Sequence, residues 1–412
     1  MLSSYKRLGD YIRLVDERNR NLEVETLLGL SMTKQFRKST SNVVGTDMSK
    51  YKIVRKDRFA CDFMSVIRVF KLPVVLQTSD DPILVSPAYA VFEVIDENIL
   101  LPEYLMMWFR RDEFDRYCFF KCDSAVRGGF NWEELCDTQL PVPSIEKQKE
   151  IIAEYEAVEQ RIRLNNTLCE KLEETAQTLY RHWFEDFEFP YSRHCEERGT
   201  SDEAISLNAL PKVAESSAVY KRNNSPDTNA GYKSSGGEMV YSEELGKEIP
   251  KGWRVGTLGN EIEFYNGKAK PANYGNIPAY GGNGILDYVS DHNHENVVVI
   301  GRVGAYCGSL YLENGRCWIT DNAISAISAN IYYSFYLLSS SKLNEKSEGT
   351  GQPLITQQIL KNIQIVQPPN VIKKEFNRIA EILQLNIMGY KEQNQKFEEL
   401  KSLLLGKMAV EG

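Results

Sequence analysis

From Ile151 onward, apolar side chains recur at alternating steps of four and three. The series Ile151, Tyr155, Val158, Ile162, Asn165, Cys169, Leu172, Ala176, Leu179 and Trp183 has nine apolar members out of ten. Adding a constant 225 gives Phe376, Ala380, Leu383, Ile387, Tyr390, Asn394, Phe397, Lys401, Leu404 and Met408, with eight. Such spacing keeps one stripe on one face of an α-helix. Each stripe covers 33 residues, a rod of roughly 50 Å. Two stripes of equal length and register predict a pair of helices joined along a heptad seam, the apolar members being the helix-pairing residues. Asn165 and Asn394 are the register-setting polar positions.

The offset extends upstream of the helices. WEELCDTQLPVPSIEKQKEIIAEYEAV (132–158) aligns with QQILKNIQIVQPPNVIKKEFNRIAEIL (357–383), setting Pro143 on Pro368, Lys149 on Lys374 and Leu135 on Leu360. RLGDYI (7–12) resembles TLGNEI (257–262) more weakly. The chain therefore reads as two copies of a globular unit, each followed by a long helix. The globular stretches hold the β-branched and aromatic runs of strands at 51–70, 82–94, 296–312 and 318–328, and helical runs at 100–120 and 331–343. The expected class is α+β, two mixed domains and two long helices in a pseudo-twofold internal repeat. Its boundaries are a first globular domain at 1–144, a first helix at 145–189, a flexible linker at 190–245, a second globular domain at 246–368 and a second helix at 369–412. The linker follows from Ser, Asn, Gly and Glu without an apolar period.

Charge changes the picture only when divided. The net charge of −8 argues against an anionic partner, but residues 145–189 alone carry 6 basic and 11 acidic groups, while residues 1–71 carry 15 basic and 8 acidic. Local faces, not the total, decide contact with phosphates. There is no apolar run of membrane length and no secretory core at the N-terminus, and the 8 cysteines form no regular pairs. A cytoplasmic protein with reduced thiols is expected. Cys118 and Cys122 read as core thiols, and His182, within an aromatic cluster, as a packed or interface residue. His292 and His294 with Asp291 and Glu295 read as a polar loop before a metal site. No GxxxxGK[ST] loop is present, nor a methylase FxGxG or NPPY/DPPY motif; QPPN (367–370) only distantly resembles the latter. No catalytic residue is assigned, and no metal ligand.

LPVPSIEKQKEI (140–151), TLYRHWFEDFEF (178–189), GTGQPLITQQIL (349–360) and LLLGKMAV (403–410) together resemble the specificity subunit of type I restriction–modification enzymes. GLSMTKQFRKST (29–40), ILVSPAYAVFEV (83–94), IPAYGGNGILDYV (277–289) and VVIGRVGAYCG (298–308) resemble that family's target-recognition sequences. The resemblance implies that each globular domain reads one half of a bipartite, asymmetric double-stranded DNA target. It implies that the helices pair as an antiparallel coiled coil and space the half-sites. Half-site centres one turn apart lie about 34–36 Å from each other, within the reach of such rods. Two modification (methylase) subunits would dock on the helices and restriction (motor-nuclease) subunits would join them. S-adenosylmethionine, ATP and Mg belong on those partners; this chain would bind no cofactor and catalyse nothing. Two other readings are a DNA-binding enzyme with its own unrecognised nuclease or methylase site and a non-DNA protein adaptor.

Base reading needs forked or planar polar groups, and positioning needs cations and backbone amides. In the first domain these are Lys34, Gln35, Arg37, Lys38 and Asn42, followed by Arg55 and Lys56. In the second, YNGKAKPANYGN (265–276) and AYGGNG (279–284) supply Lys268, Lys270, Asn273, Tyr274 and Asn283. Arg302, alone in an apolar run, either pairs with a buried acid or points at a ligand.

Overall fold

A computed structural model describes residues 5–39, 45–123, 130–190, 231–349 and 353–411. Packing divides the chain into two units, Met1–Asn166 with Lys391–Gly412, and Thr167–Tyr390. The division falls within both long helices, so each unit contains part of each.

In the first unit the strands are β1 (Tyr5–Arg7), β2 (Ile12–Leu14), β3 (Leu28–Leu30), β4 (Phe36–Lys38), β5 (Lys52–Val54), β6 (Arg58–Cys61), β7 (Val74–Leu76), β8 (Ile83–Val85), β9 (Ala90–Val94) and β10 (Gln139–Pro141). The helices are α1 (Val66–Val69), α2 (Pro102–Phe109), α3 (Asp112–Asp123), α4 (Trp132–Cys136) and α5 (Ile145–Phe184). The central sheet runs β2-β9-β6-β7, antiparallel throughout. β1 pairs with β10, β3 with β4 and β5 with β8. Phe59 and Phe92 face each other across β6 and β9 and stack at 4.8 Å, with Phe109 of α2 edge-on to Phe59 at 5.8 Å. The 100–120 helical run is two helices, because Arg110 and Arg111 interrupt it. The strand expected through residue 70 stops at Cys61. Asp62 accepts the Met64 amide at 3.1 Å and the Ser65 hydroxyl at 2.6 Å, opening a 3-10 turn that leads into α1; such local capping favours a turn over an extended ladder.

The second unit holds β11 (Met239–Ser242), β12 (Lys247–Pro250), β13 (Arg254–Thr257), β14 (Glu263–Asn266), β15 (Tyr274–Gly281), β16 (Gly284–Val289), β17 (His294–Gly301), β18 (Leu310–Ile319), β19 (Ala323–Ile327) and β20 (Gln364–Gln367). With them are α6 (Leu258–Glu261), α7 (Ile331–Ser340), α8 (Gln357–Asn362) and α9 (Asn370–Glu411). Its sheet runs β14-β19-β17-β18-β15-β16. The first four strands repeat the order and the antiparallel sense of β2-β9-β6-β7. Likewise β13 pairs with β20 as β1 does with β10. The repeat seen in sequence near the helices thus extends to the sheets.

Within each unit α5 and α9 lie antiparallel. In the first, Asn165 Nδ2 donates to Asn394 Oδ1 at 2.9 Å, and Asn394 Nδ2 to Asn166 Oδ1 at 2.8 Å. Tyr155 joins Leu405 and Met408 in the core there. In the second, Gln384 Nε2 donates to Glu173 at 2.8 Å, and Trp183 and Phe184 meet the Phe376 ring at 5.9 and 5.2 Å. Every position of both heptad series is buried or half-buried. His182 is exposed instead, because the inward face of α5 at that turn is taken by Trp183 and Phe184.

Of the span expected as linker, residues 191–230 lie outside the described residues, but the rest is built into the second unit. Pro190 and Gly231 form an antiparallel bridge. Tyr232 is buried and stacks on Phe189 at 4.7 Å, and β11 pairs with β12. A single aromatic has no period to betray it; its partners Phe189 and Trp253 lie elsewhere in the chain. Cys118 and Cys122 are buried free thiols whose ionisation burial pushes upward. Among the described residues no helix is long and apolar enough to cross a membrane.

Candidate nucleic-acid interface

The hairpin of β3 and β4 is closed by a turn in which Ser31 Oγ accepts the Gln35 amide at 3.0 Å and Lys34 takes a left-handed φ of 58°. That conformation turns Lys34 inward. It is 5% exposed, and its ammonium donates to Asp115 Oδ1 at 2.8 Å and to the Phe109 carbonyl. Asp115 Oδ1 also accepts the Leu72 amide at 3.0 Å. Burial lowers the Lys34 pKa and Asp115 opposes the shift. Lys34, expected at DNA, instead pins the hairpin to α2 and α3: a buried cation is retained where it is both paired and hydrogen-bonded.

Gln35, Arg37 and Lys38 remain exposed on this hairpin, with Arg37 Nε reaching the Leu30 carbonyl at 3.2 Å. Asn42 lies outside the described residues. Arg55 donates to Glu17 at 3.0 Å and holds its carboxyl below the ordinary range. Lys56 pairs with Asp80 at 2.8 Å. Arg58 binds Glu93 at 3.0 Å, and Glu93 also receives Arg13. The basic excess of residues 1–71 is therefore largely paired with carboxylates and is not an open positive field. The cations that keep no acid partner among the described residues include Lys38, Arg68 and Lys71. Of these, sequence reasoning missed Arg68, which sits in a run that reads as strand, and Lys71, which directly follows it.

In the second unit Lys268 is exposed, and its backbone is tied to the end of β18, its amide donating to the Ile319 carbonyl at 3.0 Å. Lys270 is paired with Asp287, a contact that holds the Asp287 carboxyl below its usual range. Asn273 is exposed and Tyr274, opening β15, is 84% exposed. Asn283 stands exposed in the β15–β16 turn beside Gly284, whose φ is 86°. The structure brings Asn283 and Arg302 onto touching loops: Ser309 Oγ, in the connection that begins at Arg302, donates to the Gly282 carbonyl at 2.6 Å. Gly301 makes this approach possible, since a Cβ there would lie 2.7 Å from the Gly282 oxygen.

Arg302 pairs with no acid among the described residues. Among the described residues its Nη1 reaches the Asp321 carbonyl, at 3.5 Å, and its buried Nε finds no hydrogen-bond partner. Of the two readings of Arg302, pairing with a buried acid is not found among the described residues. His294 is engaged at both nitrogens, Nδ1 with Asn293 at 2.8 Å and Nε2 with Ser325 at 2.9 Å. Among the described residues no group of three His, Cys, Asp or Glu could hold a metal ion.

Residues 250–398 match the family model of the type I restriction modification DNA specificity domain. The chain is 22% identical over 389 residues to the type I restriction enzyme MjaIX specificity subunit of Methanocaldococcus jannaschii, covering 83% of this chain and 78% of that protein. It is 30% identical over 95 residues to the EcoprrI specificity subunit of Escherichia coli, a local match to 24% of that protein. In fold it is similar to the crystal structure of a type I restriction-modification system S subunit from M. genitalium, with a TM-score of 0.55, 13% identity, and coverage of 98% of this chain and 95% of that one.

Proposed function

We propose that this chain, a member of the type I restriction–modification specificity-subunit family, reads a bipartite, asymmetric DNA sequence and docks the subunits that act on it. Each unit recognises one half-site through exposed polar and cationic loops, while the paired helices space the half-sites and carry two methylase subunits. The motor-nuclease subunits join through the methylases. S-adenosylmethionine, ATP and Mg are used by those partners, and this chain supplies specificity without chemistry of its own.

The observation that carries this reading is the duplication itself. Two units with one strand order, β2-β9-β6-β7 and β14-β19-β17-β18, have diverged in their loops, which suits a target with two unlike halves. The test is exchange of residues 246–368 for the matching stretch of another family member. The hybrid is assembled with the methylase subunit and S-adenosylmethionine, and modified bases in plasmid DNA are sequenced. One half of the methylated motif changes and the other stays. A motif altered in both halves, or no methylation of any gapped motif by the unexchanged complex, would refute the reading.

A further inference from the structure

The matched strand orders put one connection of each unit in the same topological place. Residues 62–73 join β6 to β7, and residues 302–309 join β17 to β18. Scaffold and position are shared, but the two connections are built from different chemistry.

In the first unit, the turn capped by Asp62 and the short α1 direct Met64, Ile67 and Phe70 into solvent. Phe70 is 60% exposed and ends α1 in the left-handed region, at φ 58° and ψ 20°. Bulky aromatic residues rarely adopt that conformation, and it persists only where the surroundings impose it. Its ring rests on Phe119 at 4.6 Å. Beside it, Arg68 reaches the Ser65 hydroxyl at 3.5 Å, and neither Arg68 nor Lys71 has an acid within ion-pair distance among the described residues. An exposed ring with exposed cations two positions before it and one after it in sequence suits a duplex, where an apolar wedge enters a base step and the cations meet phosphates.

In the second unit the connection is glycine-rich, with Gly304 at φ 73° and Gly308 at φ 85°. It exposes Tyr306 by 52%, and among the described residues the Arg302 fork meets no acid. Asn283 stands on the adjoining turn. Arg and Asn are the side chains that read guanine and adenine bidentately, and glycine lets the backbone come close to a ligand. Several other cations, among them Arg55, Lys56 and Lys270, are already paired with carboxylates.

We infer that these two equivalent connections are the base-reading elements: Arg302 reads bases in one half-site, and Phe70 with Arg68 and Lys71 wedges and anchors the other. The inference rests on the DNA-specificity reading above and adds the residues on which half-site choice depends.

To test it, the full chain and its variants are each incubated with a pool of random-sequence duplexes, and the retained fraction is sequenced. The wild type enriches a two-part motif. R302A loses preference within one half-site by about tenfold or more and leaves the other half unchanged. R302K, which keeps the charge but not the planar fork, relaxes the same position and serves where R302A does not fold. F70A combined with R68A and K71A relaxes the opposite half-site, with F70L as the milder variant and melting curves checking that each protein is folded. A wild-type motif kept unchanged by every folded variant overturns the proposal and leaves the DNA reading standing. A wild type that enriches no motif brings down the DNA reading first. Variants that keep the motif but no longer co-purify with the methylase subunit make these surfaces protein-docking sites, which also overturns the proposal.

Discussion

Lys34 shows how one residue can carry a function other than the one its neighbours suggest. In TKQFRKST it stands among exposed cations, yet its ammonium is held by Asp115, 81 residues away. Removing one member of a buried pair leaves the other charged and unpaired, so K34A costs about 3–5 kcal/mol. Faster hydrogen exchange in β3, β4 and α3 reports that loss, while the slope of log binding against log salt on random duplex stays as in the wild type. K38A does the reverse. Lys38 is exposed, and loss of the phosphate contact proposed for it lowers that slope by about 0.9 with no change in exchange. Arg55 and Glu17 make the same point at the surface, since a cation that already has a carboxylate releases few counterions on binding.

At the scale of elements, the clasp after α5 separates what is dispensable from what is not. Pro190 and Gly231 are bridged, so the residues that flank 191–230 lie side by side. Replacing those 40 residues (191 to 230 inclusive) by Asn-Gly, which suits a two-residue hairpin turn, leaves the melting temperature and the selected DNA motif unchanged. Carrying the deletion on to Glu238 removes Tyr232 from its stack on Phe189 and costs about 2–4 kcal/mol, seen as a lowered melting temperature. Equal loss from both deletions would show that residues 191–230 stabilise the fold. Composition alone places the linker's end beyond Tyr232, because one buried aromatic in a Ser- and Gly-rich stretch leaves no periodic trace. Helix α1 is hidden for a related reason: its β-branched residues favour strand, and the Asp62 cap overrides them.

For the whole molecule, the proposed spacing role of α5 and α9 is tested by length. Taking two heptads from each helix, at positions that face one another, removes about 21 Å of helix from each and preserves the seam. The expected result, read by sequencing modified bases in DNA exposed to the assembled complex, is a motif with both half-sites intact and a shorter gap. A gap of unchanged length would mean that the helices do not set it.

Much of this architecture is written in the order of residues. The heptad series, the offset of 225 and the Pro143 and Pro368 helix starts are local or periodic signals, and side chains at helical spacing must share a face whatever else the chain does. Strand order, the inward turn of Lys34, the pairing of Arg55 with Glu17 and the touching loops of Asn283 and Arg302 depend instead on contacts between distant residues. No local preference encodes such contacts. They exist only once burial has selected one packing, which is why the tertiary structure, and not the count of basic residues, decides which cations are left to meet a ligand.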